Sequence, residues 1–320
     1  MHSSSTATLR YRGIIPPIIT PLKDRDTLDV AGLENLVEHM LRGGVHGIFA
    51  LGTTGEAPSL SYRLRREMVQ RACALVKGRV PVLVGITDTS FVESVELARY
   101  SAEQGAEAVV LSAPYYFPVG QPELVEYVED LVPELPLPVF LYNMPTHTKV
   151  TFELETVKRA MQLPGVVGIK DSSGNMVYYH QLVRELPQRP DWSLLVGPEE
   201  LLGESVLLGG HGGVCGGANL CPRLYVALYE AALANDVHRV RELHAQVMRI
   251  SGTIYKVGRY GSAFIKSVKC ALSVLGVCDD FLAEPFHRFR DVERQRVGAF
   301  LSEFGITREQ AWPQEANLSA

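Results

Sequence analysis

The sequence predicts an α/β chain folded as a (β/α)8 barrel with a C-terminal helical extension, and three observations lead there. Short β-branched runs alternate with longer segments of helical period, and the pair recurs eight times within about 220 residues, near the size of a barrel domain. No G-x-G-x-x-G follows the first strand, so the usual mark of an open doubly wound sheet is missing. From about residue 222 to 305 the pattern is helical only, which is more than one barrel helix requires.

In chain order the strands are expected at "IIPPIIT" (14–20), "GIFALG" (47–52), "VPVLVGI" (80–86), "AVVLSAP" (108–114), "PVFLYN" (138–143), "VVGIKD" (166–171), "SLLVGP" (193–198) and "GGVCGG" (212–217). Continuous apolar runs of this kind suit parallel strands covered on both faces. After the first, Asp29 caps a helix whose stripe is Leu33, Leu36, Val37, Met40 and Leu41, and Gly43 and Gly44 end it. In the third unit Ser90 and Glu93 form a capping box ahead of Val95, Leu97 and Ala98, and Gly105 stops that helix. Beyond the eighth unit, "ANDVHRVRELHAQVMRI" and "GSAFIKSVKCALSVLG" read as helices packed on the barrel, because no Pro/Gly/Ser-rich linker precedes them. The division expected is a frayed start (1–10), a barrel (11–230), a C-terminal helical domain (231–306) and a tail (307–320).

Composition narrows the function. Of 320 residues 46% are hydrophobic and 21% charged, which is globular, and the net charge of -5 is spread along the chain. No basic footprint for nucleic acid or a membrane surface is present, which leaves small polar or anionic partners. Cys73, Cys215, Cys221, Cys270 and Cys278 are odd in number and irregular in spacing, which fits a reducing compartment better than a disulfide framework. The opening "MHSSSTATLRYRG" lacks the apolar core of a secretory leader and no apolar run is long enough to span a bilayer. A cytoplasmic protein is the expectation.

In a barrel of this class the reacting groups stand at the C-terminal ends of strands. Lys170 ends the sixth strand, Tyr142 the fifth, and Thr53 and Thr54 follow the second. If Val167 and Ile169 face the helices, alternation turns Gly168 and Lys170 to the barrel axis, and Tyr142 joins them from about 4.8 Å away. An ammonium there loses hydration, which favours the neutral amine, the form that attacks a ketone to make a Schiff base. A strand-end lysine that snorkels to water would read the same way by position. Tyr142 offers a phenol for proton transfer, or simply an aromatic that fills the barrel. "GTTGE" (52–56) presents hydroxyls and backbone N–H groups on a turn, able to cradle a carboxylate, or merely a turn. His211, Cys215 and Cys221 lack a usual zinc spacing, so no metal is expected.

Taken together and in register, "GTTGE", "APYYFP", "YNMPTHT", "GIKDSSG" and "GGVCGGAN" resemble the dihydrodipicolinate synthase / N-acetylneuraminate lyase family of class I aldolases, over about residues 11–305. The resemblance implies a (β/α)8 barrel with a C-terminal helical domain, a homotetramer built as a dimer of dimers, and an imine formed with pyruvate or another 2-oxo acid. No cofactor is implied beyond the lysine. By this likeness Lys170 forms the imine and Tyr142 relays protons. Thr53 and Thr54 bind the 2-oxo acid carboxylate, with Thr54 in the relay. Tyr116 completes the relay across a tight dimer interface, and Gly197 and the Val214 carbonyl line the pocket.

One position departs from the synthase branch, where the segment reads like "YNVPSRT" and its arginine grips the carboxylate of the aldehyde. Here His147 stands in that place, and a histidine offers one donor at a time and is mostly neutral at pH 7. "KDSSG", in place of "KEAS" or "KEAT", also leans toward the sugar-acid and hydroxy-oxo-acid branches. The expected activity is therefore a Schiff-base lyase acting on a 2-oxo acid and an aldehyde, with His147 contacting the aldehyde. The alternatives are a 4-hydroxy-tetrahydrodipicolinate synthase, a deoxy-oxo-sugar-acid dehydratase, and a non-catalytic 2-oxo-acid-binding paralogue.

Overall fold

The computed structural model describes residues 9–307; the expected frayed start and tail therefore lie almost entirely outside the described residues. Eight parallel strands form the barrel, in chain order β1 (Gly13–Ile14), β2 (Ile48–Ala50), β3 (Val82–Gly85), β4 (Ala108–Ser112), β5 (Val139–Asn143), β6 (Val166–Asp171), β7 (Ser193–Val196) and β8 (Gly212–Gly213). They are hydrogen-bonded in the order β1-β8-β7-β6-β5-β4-β3-β2. A bridge between Pro17 and Phe49 completes the ring from β1 to β2.

That last seam differs from the expected strand over 14–20, and proline is the reason. Pro16 and Pro17 have no N–H to give a ladder. What remains are two bonds, Ile18 N–H to the Phe49 carbonyl and Phe49 N–H to the Pro16 carbonyl, each 2.9 Å. On the other side of β1 the fit depends on glycine: Gly212 has φ of 145°, and a Cβ there would lie 2.1 Å from the Gly13 carbonyl oxygen. The glycine run of "GGVCGG" is thus a contact between backbones, and only its first two residues are strand.

Strand alternation sorts the core into two layers. Ile15, Phe49, Leu83, Val110, Phe140 and Leu195 fill the barrel interior. Ile48, Val84, Val109, Leu141 and Ile169 face the surrounding helices with the larger set of buried residues. On β6 the alternation is interrupted. Val139 pairs with Val166 but its neighbour Phe140 pairs with Gly168, so Val167 is an extra residue in a bulge. Val167 packs against the interior cluster, contrary to the expectation that it faces the helices, while Ile169 faces outward as expected.

The first helix, Val30–Arg42, is capped by Asp29, whose carboxylate accepts from the Gly32 N–H, and ends at Gly43. Ser90 caps Phe91–Glu103 through the Glu93 N–H. After Pro222–Leu233 come Val237–Thr253, Ala263–Val274 and Asp291–Glu303. The segment after the barrel is not helical throughout: Phe281 bridges to Leu22, which belongs to a short hairpin of Leu22–Asp24 and Thr27–Leu28. The C-terminal helices are thereby fastened to the loop that follows β1.

Candidate active site

Lys170 and Tyr142 are register partners at the ends of β6 and β5. Lys170 is only 5% exposed, and its ammonium nitrogen lies 3.9 Å from the centre of the Tyr142 ring and 5.2 Å from that of Phe49. The two aromatic faces partly replace the hydration that the barrel removes. Burial pushes the Tyr142 phenol up, but the Lys170 charge, with hydrogen bonds from Thr53, Ser172 and Lys170, brings it below the ordinary phenol value. A phenol held in that state is better suited to accept and return a proton near neutral pH.

The strand ends are fixed from their outer side by a pair that sequence reasoning passed over. Asp171 accepts from the Asn143 side chain at 2.8 Å and from the backbone and hydroxyl of Ser173, while Asn143 accepts from the Phe152 N–H at 3.0 Å. Two polar residues directly following Tyr142 and Lys170 in buried strands are the signal that would have found them.

The "GTTGE" turn stands beside this pair. The Thr53 hydroxyl is 3.3 Å from the Tyr142 hydroxyl, and Thr54 is buried near Gly216. The hydroxyl in contact with Tyr142 is thus that of Thr53, whereas the resemblance gave the part in the relay to Thr54. The turn closes through Gly55 N–H to the Gly52 carbonyl and Glu56 N–H to the Thr53 carbonyl, both 3.0 Å. Glu56 itself has a positive φ of 57° and turns inward. Its carboxylate meets the fully buried Lys269 ammonium at 2.5 Å and accepts from the Ala283 N–H at 2.9 Å, and Lys269 donates to the Phe281 carbonyl at 2.7 Å. Burial pushes the Glu56 carboxyl up, against the pull of Lys269. The sequence showed Glu56 only as the last letter of a turn and Lys269 only as one polar residue of a helix.

A cavity of about 300 Å3 surrounds Lys170, with Thr53, Thr54, Gly197, Val214 and His147 among its walls. Gly197 sits against Ser172, so closely that a Cβ would lie 1.9 Å from the Ser172 hydroxyl oxygen. Val214 is buried in the interior cluster. His147 stands at the rim, bonded through Nδ1 to the Thr146 hydroxyl at 3.0 Å. Partial desolvation, then the charges of Lys149 and Lys170, lower its imidazole below the ordinary value, so it is neutral at pH 7. Tyr142 and His147 also border a second cavity of about 450 Å3 on their far side, toward Thr87, Ser112 and Tyr115. Tyr116 is not brought to either cavity: it is 75% exposed, with its ring edge-on to Phe117 at 5.0 Å. The cluster of His211 and two cysteines is accounted for by packing: His211 Nδ1 accepts from the Leu194 N–H at 3.0 Å, and both thiols are pushed up by burial.

Glu199, second residue after Gly197, is the largest omission of the sequence reading. It lines the Lys170 cavity yet is 4% exposed. One carboxylate oxygen accepts from the Tyr225 hydroxyl and from the Tyr255 hydroxyl at 2.8 Å; the other accepts from the Gly217 N–H at 2.6 Å. Glycine is obligatory at 217, where a Cβ would lie 2.1 Å from the Tyr225 hydroxyl and 2.2 Å from that of Tyr255. Burial raises the Glu199 carboxyl to about 7 from 4.5, the bonds from Tyr225, Gly217 and Tyr255 notwithstanding. A carboxyl whose folded value lies above its unfolded value binds more protons when folded, so its contribution to stability is full below about 4.5 and is lost as pH rises through about 7. Glu199→Gln is expected to flatten this fall, which melting temperatures of both proteins between pH 4.5 and 7.5 would reveal; parallel curves would refute it.

Comparison with known proteins agrees with the barrel fold. The sequence profile of the Dihydrodipicolinate synthetase family matches residues 10–304. A 4-hydroxy-tetrahydrodipicolinate synthase of Methanopyrus kandleri is 31% identical, over 94% of this chain and 98% of its own. A probable 2-dehydro-3-deoxy-D-pentonate aldolase of Escherichia coli is 30% identical, over 93% and 98%. Among solved structures, a dihydrodipicolinate synthase from Bacteroides thetaiotaomicron is 56% identical with a TM-score of 0.90, covering 93% of this chain and 99% of that one. YagE of Escherichia coli, solved in complex with pyruvate, is 27% identical with a TM-score of 0.87, covering 92% and 99%.

Proposed function

The chain belongs to the Dihydrodipicolinate synthetase family, and from that premise we propose that it is a class I lyase which joins pyruvate or another 2-oxo acid to an aldehyde, or cleaves the product, through an imine on Lys170. The observation that carries this is the buried Lys170 amine set against the Tyr142 ring, with the Tyr142 hydroxyl in contact with Thr53.

The steps follow from the residues present. The neutral Lys170 amine adds to the ketone carbon, and the carbinolamine so formed loses water to give the imine. The Thr53 and Thr54 hydroxyls, with the N–H groups of their turn, hold the substrate carboxylate. Loss of a proton from the adjacent carbon leaves an enamine, which forms the new carbon–carbon bond to the aldehyde carbon. The aldehyde oxygen takes up a proton, and water releases the product and restores the amine. Tyr142, bonded to Thr53, serves as the shuttle for these protons. No cofactor beyond Lys170 enters the scheme.

The finer reading concerns the aldehyde. His147 is neutral at the rim, and the walls of the Lys170 cavity include Glu199 and Glu200. This favours a sugar-acid or hydroxy-oxo-acid aldolase over a 4-hydroxy-tetrahydrodipicolinate synthase, whose aldehyde carries a carboxylate. Tyr116, exposed on the single chain, is assigned to a contact with a second copy in a cytoplasmic homotetramer. Borohydride added in the presence of pyruvate is expected to fix pyruvate to the protein, with the added mass on the peptide that contains Lys170. Intact and peptide mass spectrometry would check it, and no gain, or a gain on another lysine, would overturn the proposal.

A further inference from the structure

Between Tyr255 and Lys269 the chain crosses the mouth of the barrel. Its Gly261, Phe264 and Ile265 line the Lys170 cavity, and Gly261 and Ile265 line the second cavity as well. Both ends of this crossing are held from below by buried carboxylates that belong to loops after barrel strands. Tyr255 donates to Glu199, which follows β7, and Lys269 is paired with Glu56, which follows β2. Between the two anchorages the Tyr255 ring meets Phe264 edge-on at 4.7 Å, and Phe264 lies against Gly216, where a Cβ would be 2.5 Å from the ring. The middle of the crossing has no comparable hold: Arg259, Tyr260 and Gly261 are exposed, Tyr260 by 78%, and Gly258 takes a φ of 108°.

We infer that Glu199 and Glu56 are positioning residues, which pin the segment 255–269 across the barrel mouth and so govern how the second reactant reaches the imine. The inference rests on the proposed function for the imine alone; the pinning stands on the contacts themselves. Glu199 accepts from Tyr255 of the crossing segment, from Tyr225 and from the Gly217 N–H, while Glu56 is ion-paired with Lys269 of that segment and accepts from the Ala283 N–H. Buried polar contacts of this kind favour one arrangement of the elements they join.

The segment carries its own reporter, because Lys256 and Arg259 are exposed residues at which trypsin cuts. Tyr255→Phe keeps the ring against Phe264 but removes one bond to Glu199; Glu199→Gln weakens all three. In both variants of the full chain, cleavage at these two sites is expected to quicken at least tenfold. With pyruvate saturating, a limiting amount of cyanoborohydride, a small second reactant, should reduce the imine several times faster, while half-saturation by pyruvate stays within twofold. A general loosening would instead move pyruvate half-saturation together with the rest. Unchanged cleavage, or faster cleavage with an unchanged rate of reduction, overturns the inference. If the unaltered protein acquires no pyruvate at all, it is the Schiff-base reading that fails, and cleavage alone then decides whether the segment is pinned.

Discussion

Lys170→Ala is expected to lower turnover by on the order of 10^4-fold or more and to end the reductive capture of pyruvate, while the protein stays folded. The amine is the one group in the scheme that forms a bond to the substrate, so its loss removes the route and does not merely slow a step. Tyr142 and the threonines can still bind the 2-oxo acid, which predicts that pyruvate continues to protect the variant against thermal unfolding. Stability should hold, because removing a cation 5% exposed between two aromatic rings relieves a desolvation cost and breaks no ion pair among the described residues. Steady-state pyruvate consumption or release, measured with the melting curve on the same preparation, tests both halves. Residual turnover within a hundredfold of the unaltered protein would show that the imine is not on the path.

The second large effect lies away from the reacting atoms. Lys269→Met leaves the Glu56 carboxylate, 1% exposed in its side chain, without its cation, and removal of one partner from a buried pair costs about 3–5 kcal/mol. Replacing both, as Glu56→Gln with Lys269→Met, is expected to recover most of the loss, since the uncompensated charge is gone and the amide can still accept from the Ala283 N–H. Urea unfolding of the three proteins would measure it. A Lys269→Met variant as stable as the parent would mean that Glu56 is already protonated in the folded chain.

How far the sequence could be read followed the kind of signal available. Strand ends were legible because apolar runs and their terminal polar residues are local, and Lys170 and Tyr142 could be paired from alternation and strand spacing alone. The first strand was overextended because "IIPPIIT" has strand composition, whereas the prolines deny it a ladder. Thr53 and Thr54 could not be told apart, since a turn, here bracketed by Leu51 and Glu56 at positive φ, does not alternate. Glu56, Lys269, Glu199 and Tyr255 escaped because charge in a helix or loop ordinarily means a solvated face. Their burial is a fact of tertiary packing, created by partners that lie 213 and 56 positions apart in the chain for the first and second pairs. Tyr116 was legible only by likeness, and in the single chain it stands apart from the site.

The bulge at Val167 also gives the lysine's orientation an arithmetic. Val166 and Ile169 both belong to the outer layer although three positions separate them, which an unbroken strand does not allow. Were residues 166–170 all to alternate with no bulge, Lys170 would share the outer side with Val166, among the helices. Whether this barrel holds an amine or an inert apolar stopper at its centre is therefore a matter of parity, kept by a bulge three residues before the amine that takes up the odd residue. Loss of Val167 would leave an even strand with the amine still inward, whereas one more residue paired without a bulge would turn the amine out without touching any residue that acts on the substrate.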